Sequence, residues 1–175
     1  MKNTIITLLL LCNLISYSQD LSNLDKKMGF NKFKLESTFD VNKSNLKFRI
    51  TGFDKVKYYD YTGNDLHLVF GVFVKRISLG FYKEKLYAIC IDFISTDKQD
   101  DAIVEKKLIE LFGHQKSIYN IDDGDYKYDW TTVWDATRVY MKLDKFSCSS
   151  DVTPCDLSLF MISKKMKAEI NNDSF

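Results

Sequence analysis

Apolar and polar residues alternate along much of the chain, and the period of the alternation changes from segment to segment. The clearest period-two pattern covers residues 77–94, where two alternating runs flank the charged connection at residues 83–85. Such a pattern predicts two half-buried strands, and the short connection predicts that they pair as an antiparallel hairpin. Further strands are predicted near Phe33 and over residues 56–61, 66–74, 126–132, 137–143 and 156–163.

Two segments have helical rather than strand-like features. In residues 97–112, apolar residues recur at spacings of four, seven and eight, namely at Val104, Leu108, Leu111 and Phe112. They fall on one face of a helix with about 3.6 residues per turn, and Gly113 is placed to end that helix. A second helix is predicted over residues 38–47, with Ser37 or Thr38 as its N-cap.

The order of these elements is a helix followed by three or four strands, and then the same series again. Short connections between successive strands favour antiparallel pairing. We therefore predict an α+β fold, in which helices pack on one face of an antiparallel sheet formed by a duplicated α-β-β-β unit. The predicted domain covers residues 30–164, and a length of this order is enough for one hydrophobic core.

The amino terminus has the three parts of a secretory signal peptide. Lys2 precedes an apolar run over residues 5–15, and Ser16 and Ser18 supply the small side chains of a cleavage site. We predict that residues 1–18 are removed and that the exported chain begins at Gln19. The apolar run is too short to cross a bilayer, which takes about 20 residues, so no membrane span is expected after cleavage.

The protein is therefore expected in the periplasm or the medium. Lipid attachment at Cys12 is not favoured, because Leu11 stands where a lipoprotein has a small residue. Residues 19–29 are predicted to be a flexible lead-in, and residues 165–175 a charged tail that frays.

Removal of the signal peptide leaves a chain without net charge. Residues 1–18 contain Lys2 and no acid, so the exported chain carries 24 basic and 24 acidic side chains. Nucleic acids and anionic membrane surfaces attract proteins with a net or clustered positive field. This balance argues against nucleic acid as the partner.

Three cysteines remain after cleavage. Cys148 and Cys155 flank a turn-rich loop between two apolar runs, and in an oxidising compartment we expect them to form a disulfide. Two free thiols are the alternative. Cys90 lies inside an apolar run and is expected to be a buried, unreactive thiol.

The hairpin and the end of the second helix also carry a resemblance. The segment Phe81-Tyr82-Lys83-Glu84-Lys85-Leu86-Tyr87, followed later by Leu111-Phe112-Gly113, is similar to many uncharacterised exported bacterial proteins. The repeated α-β-β-β order resembles the architecture of beta-lactamase inhibitor protein and of outer-membrane assembly lipoproteins of the SmpA/OmlA type. The resemblance implies a protein that binds other proteins and is not an enzyme.

No pattern in the sequence predicts a catalytic centre, a cofactor or a metal site. His67 and His114 lie on different elements without the spacing of zinc ligands. An acidic group at Asp122, Asp123, Asp125 and Asp129 has oxygen ligands that calcium prefers, but it lacks the glycine position and the glutamate of an EF-hand loop. We interpret the group as a turn, with a calcium site as the alternative.

Asp92 interrupts an otherwise apolar strand and shares a face with Cys90. Two interpretations are open: that face is solvated at Asp92, or Asp92 is buried beside a base such as Arg76 or Lys75. The sequence favours the solvated interpretation.

An aromatic group near the third quarter of the chain is the candidate binding surface. Tyr126, Tyr128 and Trp130 are spaced by two and so fall on one face of a strand, and Trp134 follows them. If helices cover that face, these residues belong to the core; if the face is open, they form an aromatic platform for a partner.

These observations predict an exported, non-enzymatic binding module that recognises an unknown protein or envelope component through a sheet face. The alternative is a small hydrolase or small-ligand-binding protein, with a site assembled from scattered residues.

Overall fold

The computed structural model of the chain describes residues 21–41, 43–95, 98–114, 117–119, 122–123, 126–146 and 155–173. Helix α1 covers residues 21–27. It is followed by strands β1 (Gly29–Phe30), β2 (Phe33–Lys34), β3 (Leu46–Thr51), β4 (Lys57–Tyr61), β5 (Leu68–Val69), β6 (Val72–Tyr82) and β7 (Lys85–Ser95). Helix α2 (Lys98–Phe112) precedes strands β8 (Ser117–Tyr119), β9 (Asp122–Asp123), β10 (Tyr126–Asp135), β11 (Val139–Phe146) and β12 (Cys155–Ser163), and helix α3 (Lys164–Asp173) follows.

One large antiparallel sheet organises most of these elements, while β1 and β2 pair with each other as a separate two-stranded sheet. The prediction of an α+β fold is confirmed. The main strands of the large sheet lie in the order β3-β4-β6-β7-β12-β11-β10-β8, while β5 pairs with β6 and β9 pairs with β10. Each half of the chain runs from one edge of the sheet to its centre, where β7 pairs with β12. The duplication of an α-β-β-β unit stays a prediction.

The predicted hairpin over residues 77–94 is confirmed and is longer than expected. β6 and β7 are joined by a two-residue turn, in which Lys83 and Glu84 both have positive φ, at 47° and 60°. This is the backbone of a type I′ turn, which suits the right-handed twist of the two strands. The turn normally favours Asn and Gly, so the charged connection did not reveal its geometry.

Helix α2 confirms the prediction over residues 97–112. Its apolar stripe is buried against the sheet at Val104, Leu108 and Phe112. Gly113 has a φ of 83° and donates its backbone N–H to the Ile109 carbonyl at 2.8 Å, as expected for a glycine that ends a helix.

The helix predicted over residues 38–47 is wrong. This segment contains two short 3-10 turns, Phe39–Val41 and Lys43–Asn45, and then enters β3. Its start is held by the β6–β7 hairpin, because the Phe39 N–H donates to the Glu84 carbonyl at 2.9 Å. Tertiary hydrogen bonds of this kind override a weak helical preference.

Residues 21–29 of the segment predicted as a flexible lead-in are instead a fixed part of the fold. Leu24 of α1 is fully buried. The Asp25 carboxylate accepts backbone N–H groups from Thr137 at 2.9 Å, Arg138 at 2.7 Å and Val139 at 3.1 Å, all at the turn between β10 and β11. A single side chain thus joins the first helix to the second half of the sheet.

Residues 165–173 of the predicted charged tail belong to α3, which changes the arrangement of the helices. α2 packs on one face of the sheet, as expected, and α1, which was not predicted as a helix, packs on the same face. α3 packs on the opposite face, where Met166 and Ile170 join a second apolar cluster with Ile162 and Tyr82. The prediction that helices occupy one face is therefore corrected for α3. No helix in the described part of the chain is long and apolar enough to span a membrane.

We expect Asp25→Ala to lower the free energy of unfolding by about 1–3 kcal/mol, because three backbone donors lose a charged acceptor. Urea unfolding followed by circular dichroism measures the loss. Asp40→Ala, at an exposed acid of the 3-10 turn Phe39–Val41, is the matched control and should change stability by less than about 0.5 kcal/mol. Equal effects of the two substitutions would contradict this role of Asp25.

Candidate functional site

Two clefts are candidate binding sites, and the loop between β4 and β5 borders the larger one. The volume of this larger cleft is about 600 Å³. Polar side chains dominate the lining, including those of Thr62, Asn64, His67, Lys75 and Arg76. The His67 ring is held by the loop itself, with its Nδ1 3.1 Å from the Asn64 carbonyl oxygen. The cleft therefore brings together polar groups of β4, the loop and β6.

A hydrogen-bonded triad of Lys32, Tyr61 and Asp65 lies beside this cleft. The Lys32 ammonium donates to the Asp65 carboxylate at 2.5 Å and also to the Tyr61 hydroxyl, which in turn donates to Asp65 at 2.6 Å. Hydrogen bonds from Lys32 and Tyr61 lower the pKa of Asp65 to about 2, and the same contacts raise the pKa of Lys32. Both groups are held in their charged forms near neutral pH.

Asp92 lies in a polar network on the face opposite α1 and α2. The Arg76 guanidinium donates to its Oδ2 through Nε at 2.9 Å, and Ser158 donates to its Oδ1 at 2.7 Å. The Asp92 side chain is 14% exposed. The structure therefore has the second of the two predicted arrangements, a mostly buried Asp92 paired with Arg76, and not the solvated one that the sequence favoured.

A row of polar residues continues from Asp92 across the sheet, and we call it the polar ladder. Residues directly opposite one another on β6, β7, β12, β11 and β10 form it, in the order Arg76, Asp92, Ser158, Asp144 and Thr131. Thr131 donates to the Asp144 carboxylate at 2.8 Å, and Lys142 also pairs with Asp144. The part of this face that α3 does not cover therefore carries a row of polar groups, with the exposed Ile94 beside it.

Cys90 has the environment of an unreactive thiol, as predicted. Burial, followed by the neighbouring Asp92 charge, raises its pKa to about 12. Nucleophilic attack requires the thiolate, which is almost absent at neutral pH when the pKa is so high. Cys90 is a free cysteine.

The pKa shifts among the described residues have one direction in common. Wherever the surroundings shift a pKa in the described part of the chain, the shift is away from neutral pH. Carboxyl pKa values are lowered, and those of lysine, arginine, tyrosine and the thiol are raised. A general acid or base works best with a pKa near the working pH, and none of these shifts moves a group toward it.

The outer edge of β3 exposes apolar side chains. Phe48 and Ile50 are each 55% exposed, and Phe53 in the following turn is fully exposed. Phe48 lies opposite Tyr59, which packs on the α2 side of the sheet, and Ile50 lies opposite Tyr58, which packs on the α3 side. Directly opposite residues share a face, so Phe48 and Ile50 lie on the two faces beside the same edge.

Four aromatic residues were predicted to form a binding surface, and the side chain of one of them, Trp134, is among those that the structure describes. Trp134 is fully buried, and its indole N–H donates to the Gly113 carbonyl at 2.8 Å. Of the two interpretations left open, Trp134 therefore follows the core one. The side chains of Tyr126, Tyr128 and Trp130 lie outside the described residues, but the pairing register shifts between Tyr128 and Trp130, which interrupts the two-residue period used to group them.

The other predicted sites have the following positions. His114 is exposed just after Gly113, and His67 lies in the larger cleft, so the two come from different surroundings. Within the described ranges, no three His, Cys, Asp or Glu side chains are grouped to hold a metal ion. The side chains of the acidic group at residues 122–129 lie outside those ranges, as does Cys148; the Cys148–Cys155 disulfide stays a prediction.

Sequence reasoning missed the exposed edge and the triad. The edge was missed because the helix predicted over residues 38–47 takes in Leu46 and Lys47, the first residues of β3, and because the exposure of Phe48 depends on strand order. The triad joins Lys32 to residues about thirty positions later, and no local pattern reports such a distant contact.

These features define an α+β protein with a large antiparallel sheet, a polar cleft and an exposed apolar edge. No family model matches the chain, and neither a curated protein nor a solved structure matches it. The resemblance to beta-lactamase inhibitor protein and the SmpA/OmlA type stays a prediction.

We expect the carboxyl group of Asp65 to titrate near pH 2 in an NMR experiment, and to shift toward its ordinary pKa of about 4 in Lys32→Met. A lowered pKa in the folded state means that the stabilising contribution is present above the unfolded pKa and is lost as the pH falls through the folded one. Salt should reduce the shift, because the pair is exposed. An Asp65 pKa of about 4 in both proteins would contradict the triad.

We expect Cys90 to resist iodoacetamide in the native protein at pH 8 and to react fully in urea. Mass spectrometry of the peptide containing Cys90 measures both reactions. Equal modification of Cys90 in the native and unfolded states would contradict its burial.

Proposed function

We propose that the protein is an exported, non-enzymatic binding module that holds an extended segment of a partner polypeptide along the outer edge of β3. The observation that carries this proposal is the exposure of Phe48, Ile50 and Phe53 at that edge. The proposal also includes export directed by the predicted signal peptide, and the Cys148–Cys155 disulfide.

The edge position explains how a partner could bind. Among the described strands, β3 pairs only with β4, so the backbone groups on its other side are available to an added strand. In such an added strand, alternate side chains point to alternate faces. Phe48 and Ile50 would then contact side chains of the partner, one on each face of the extended sheet.

The proposal moves binding from a sheet face to a sheet edge. One face is covered by α1 and α2, and the other is divided between α3 and the polar ladder. Polar groups that already satisfy each other gain little from a partner, whereas exposed apolar groups gain from losing contact with water. The apolar edge of β3 is therefore a better interaction surface than the polar ladder.

Charge indicates which strand would be accepted. Lys47 and Arg49 lie on β3 itself, and Arg49 Nη1 is 3.8 Å from Oδ1 of Asp60 on the neighbouring strand. Two copies of β3 paired with each other would place four cations in one short ribbon, and like charges across a strand pair are destabilising. These charges oppose self-association, as edge charges commonly do, and they favour a partner segment with acidic and apolar residues.

In the described part of the chain, each pKa that the surroundings shift moves away from neutrality, and this supports a binding role over a hydrolytic one for the shifted groups. Asp65, Lys32 and Cys90 would all need large pKa changes before they could accept or donate a proton at pH 7.

Selection of peptides from a displayed random library, against the immobilised chain from Gln19 onward, tests the proposal. We expect enriched peptides in which apolar and acidic residues alternate. The double variant Phe48→Ser/Ile50→Ser should bind them at least about tenfold more weakly, because two apolar contacts are lost.

Phe73→Ser is the matched control, since Phe73 is 59% exposed on another hairpin. It should leave peptide binding unchanged. Peptides that bind the double variant as tightly as the unaltered protein, or a chain that dimerises through β3 and selects no peptide, would overturn the proposal.

A further inference from the structure

A second, smaller cleft lies on the α2 side of the fold, between two turns and the end of α2. Its volume is about 310 Å³, at the lower end of the range for small-ligand pockets. Phe30, Phe70 and Phe112 form its aromatic walls, and Leu68 and Leu111 add aliphatic surface. Lys27 supplies the charged side chain of the lining. The cleft is thus apolar with a cation at its border.

The aromatic wall at Phe70 is held in a backbone conformation that is rare for a bulky residue. Phe70 and Gly71 form the two-residue turn between β5 and β6, with φ values of 57° and 87°. Gly71 suits this region, but a bulky side chain at positive φ is a conformational outlier, and Asn is the preferred residue at the first position of such a turn. Asn at position 70 would suit the turn better, but it would lack the aromatic ring that borders the cleft.

The Phe70 ring packs against a residue of the other turn that borders the cleft. The Phe70 and Phe30 rings meet edge to face, with centroids 5.7 Å apart. Phe30 is buried and precedes Asn31, which also has a positive φ, at 51°. Phe70 is thus a backbone outlier at the border of the cleft, and such an outlier motivates a hypothesis of function.

Electrostatics indicate the sign of the occupant. Lys27 Nζ lies 5.3 Å from the centroid of the Phe112 ring, directly beside the apolar walls. The lining residues include no carboxylate. An ammonium group next to an apolar surface attracts an anionic group whose remaining part is apolar.

We propose that this cleft binds a small apolar carboxylate, with its hydrocarbon part between Phe70, Phe30 and Leu68 and its carboxylate near Lys27. The site is distinct from the β3 edge and does not depend on the function proposed there. Leu68 is 42% exposed in spite of its place in the lining, so a ligand would remove apolar surface from water.

Isothermal titration calorimetry with octanoate and with 1-octanol tests the proposal on the chain from Gln19 onward. We expect one saturable site for octanoate. Phe70→Asn should weaken octanoate binding about tenfold, because the cleft loses an aromatic wall while the turn gains a preferred residue. Lys27→Met should weaken octanoate about fivefold and leave 1-octanol unchanged.

The hairpin offers a matched pair of controls. Leu68 and Phe73 lie opposite each other on β5 and β6, and both are exposed, but only Leu68 is part of the cleft lining. Leu68→Gln should weaken octanoate binding about fivefold, and Phe73→Gln should not change it. This pair decides the question if Phe70→Asn does not fold.

Three results would overturn the proposal: no saturable octanoate binding, equal effects of Leu68→Gln and Phe73→Gln, or equal weakening of octanoate and 1-octanol by Lys27→Met. A double variant Phe48→Ser/Ile50→Ser should bind octanoate normally, which separates this cleft from the β3 edge.

Discussion

The pairing of β7 with β12 is the constraint on which the rest of the structure depends. Eight residue pairs, from Ser95 with Cys155 to Ala88 with Ile162, join strands that are about seventy positions apart in the chain. Each half of the chain builds its strands inward from an outer edge, so this pairing alone makes them one sheet. Both faces of the pair are buried, one beneath α1 and α2 and the other partly beneath α3. The position of β3 at the far edge is a direct consequence.

Local patterns were sufficient for the elements whose own residues carry the signal. The hairpin over residues 77–94 and helix α2 have strong periodicity, and both formed where they were expected. The errors at residues 38–47 and 165–173 arose where distant contacts decide the structure. The first segment bonds to the β6–β7 turn. The second is mostly polar and is held by Met166 and Ile170, two apolar residues that lie one helical turn apart.

The candidate sites were harder to predict than the fold, because each is assembled across strands. Asp92 was noticed as a polar interruption, but its pairing with Arg76 depends on the register of β6 and β7. Trp134 was grouped with the other aromatic residues by spacing alone, and its position against Gly113 is set by the end of α2. The exposure of Phe48 follows from strand order, and strand order cannot be deduced from a pattern of hydrophobic residues.

The central claim is that the outer edge of β3 accepts an extended polypeptide. Hydrogen exchange of the backbone amides, with and without a peptide selected on the protein, tests that claim most directly. The account predicts slower exchange at the outward amides of Leu46–Thr51, with smaller changes at the central strands β7 and β12. Unchanged exchange in Leu46–Thr51, together with protection confined to another strand or to a helix, would contradict it.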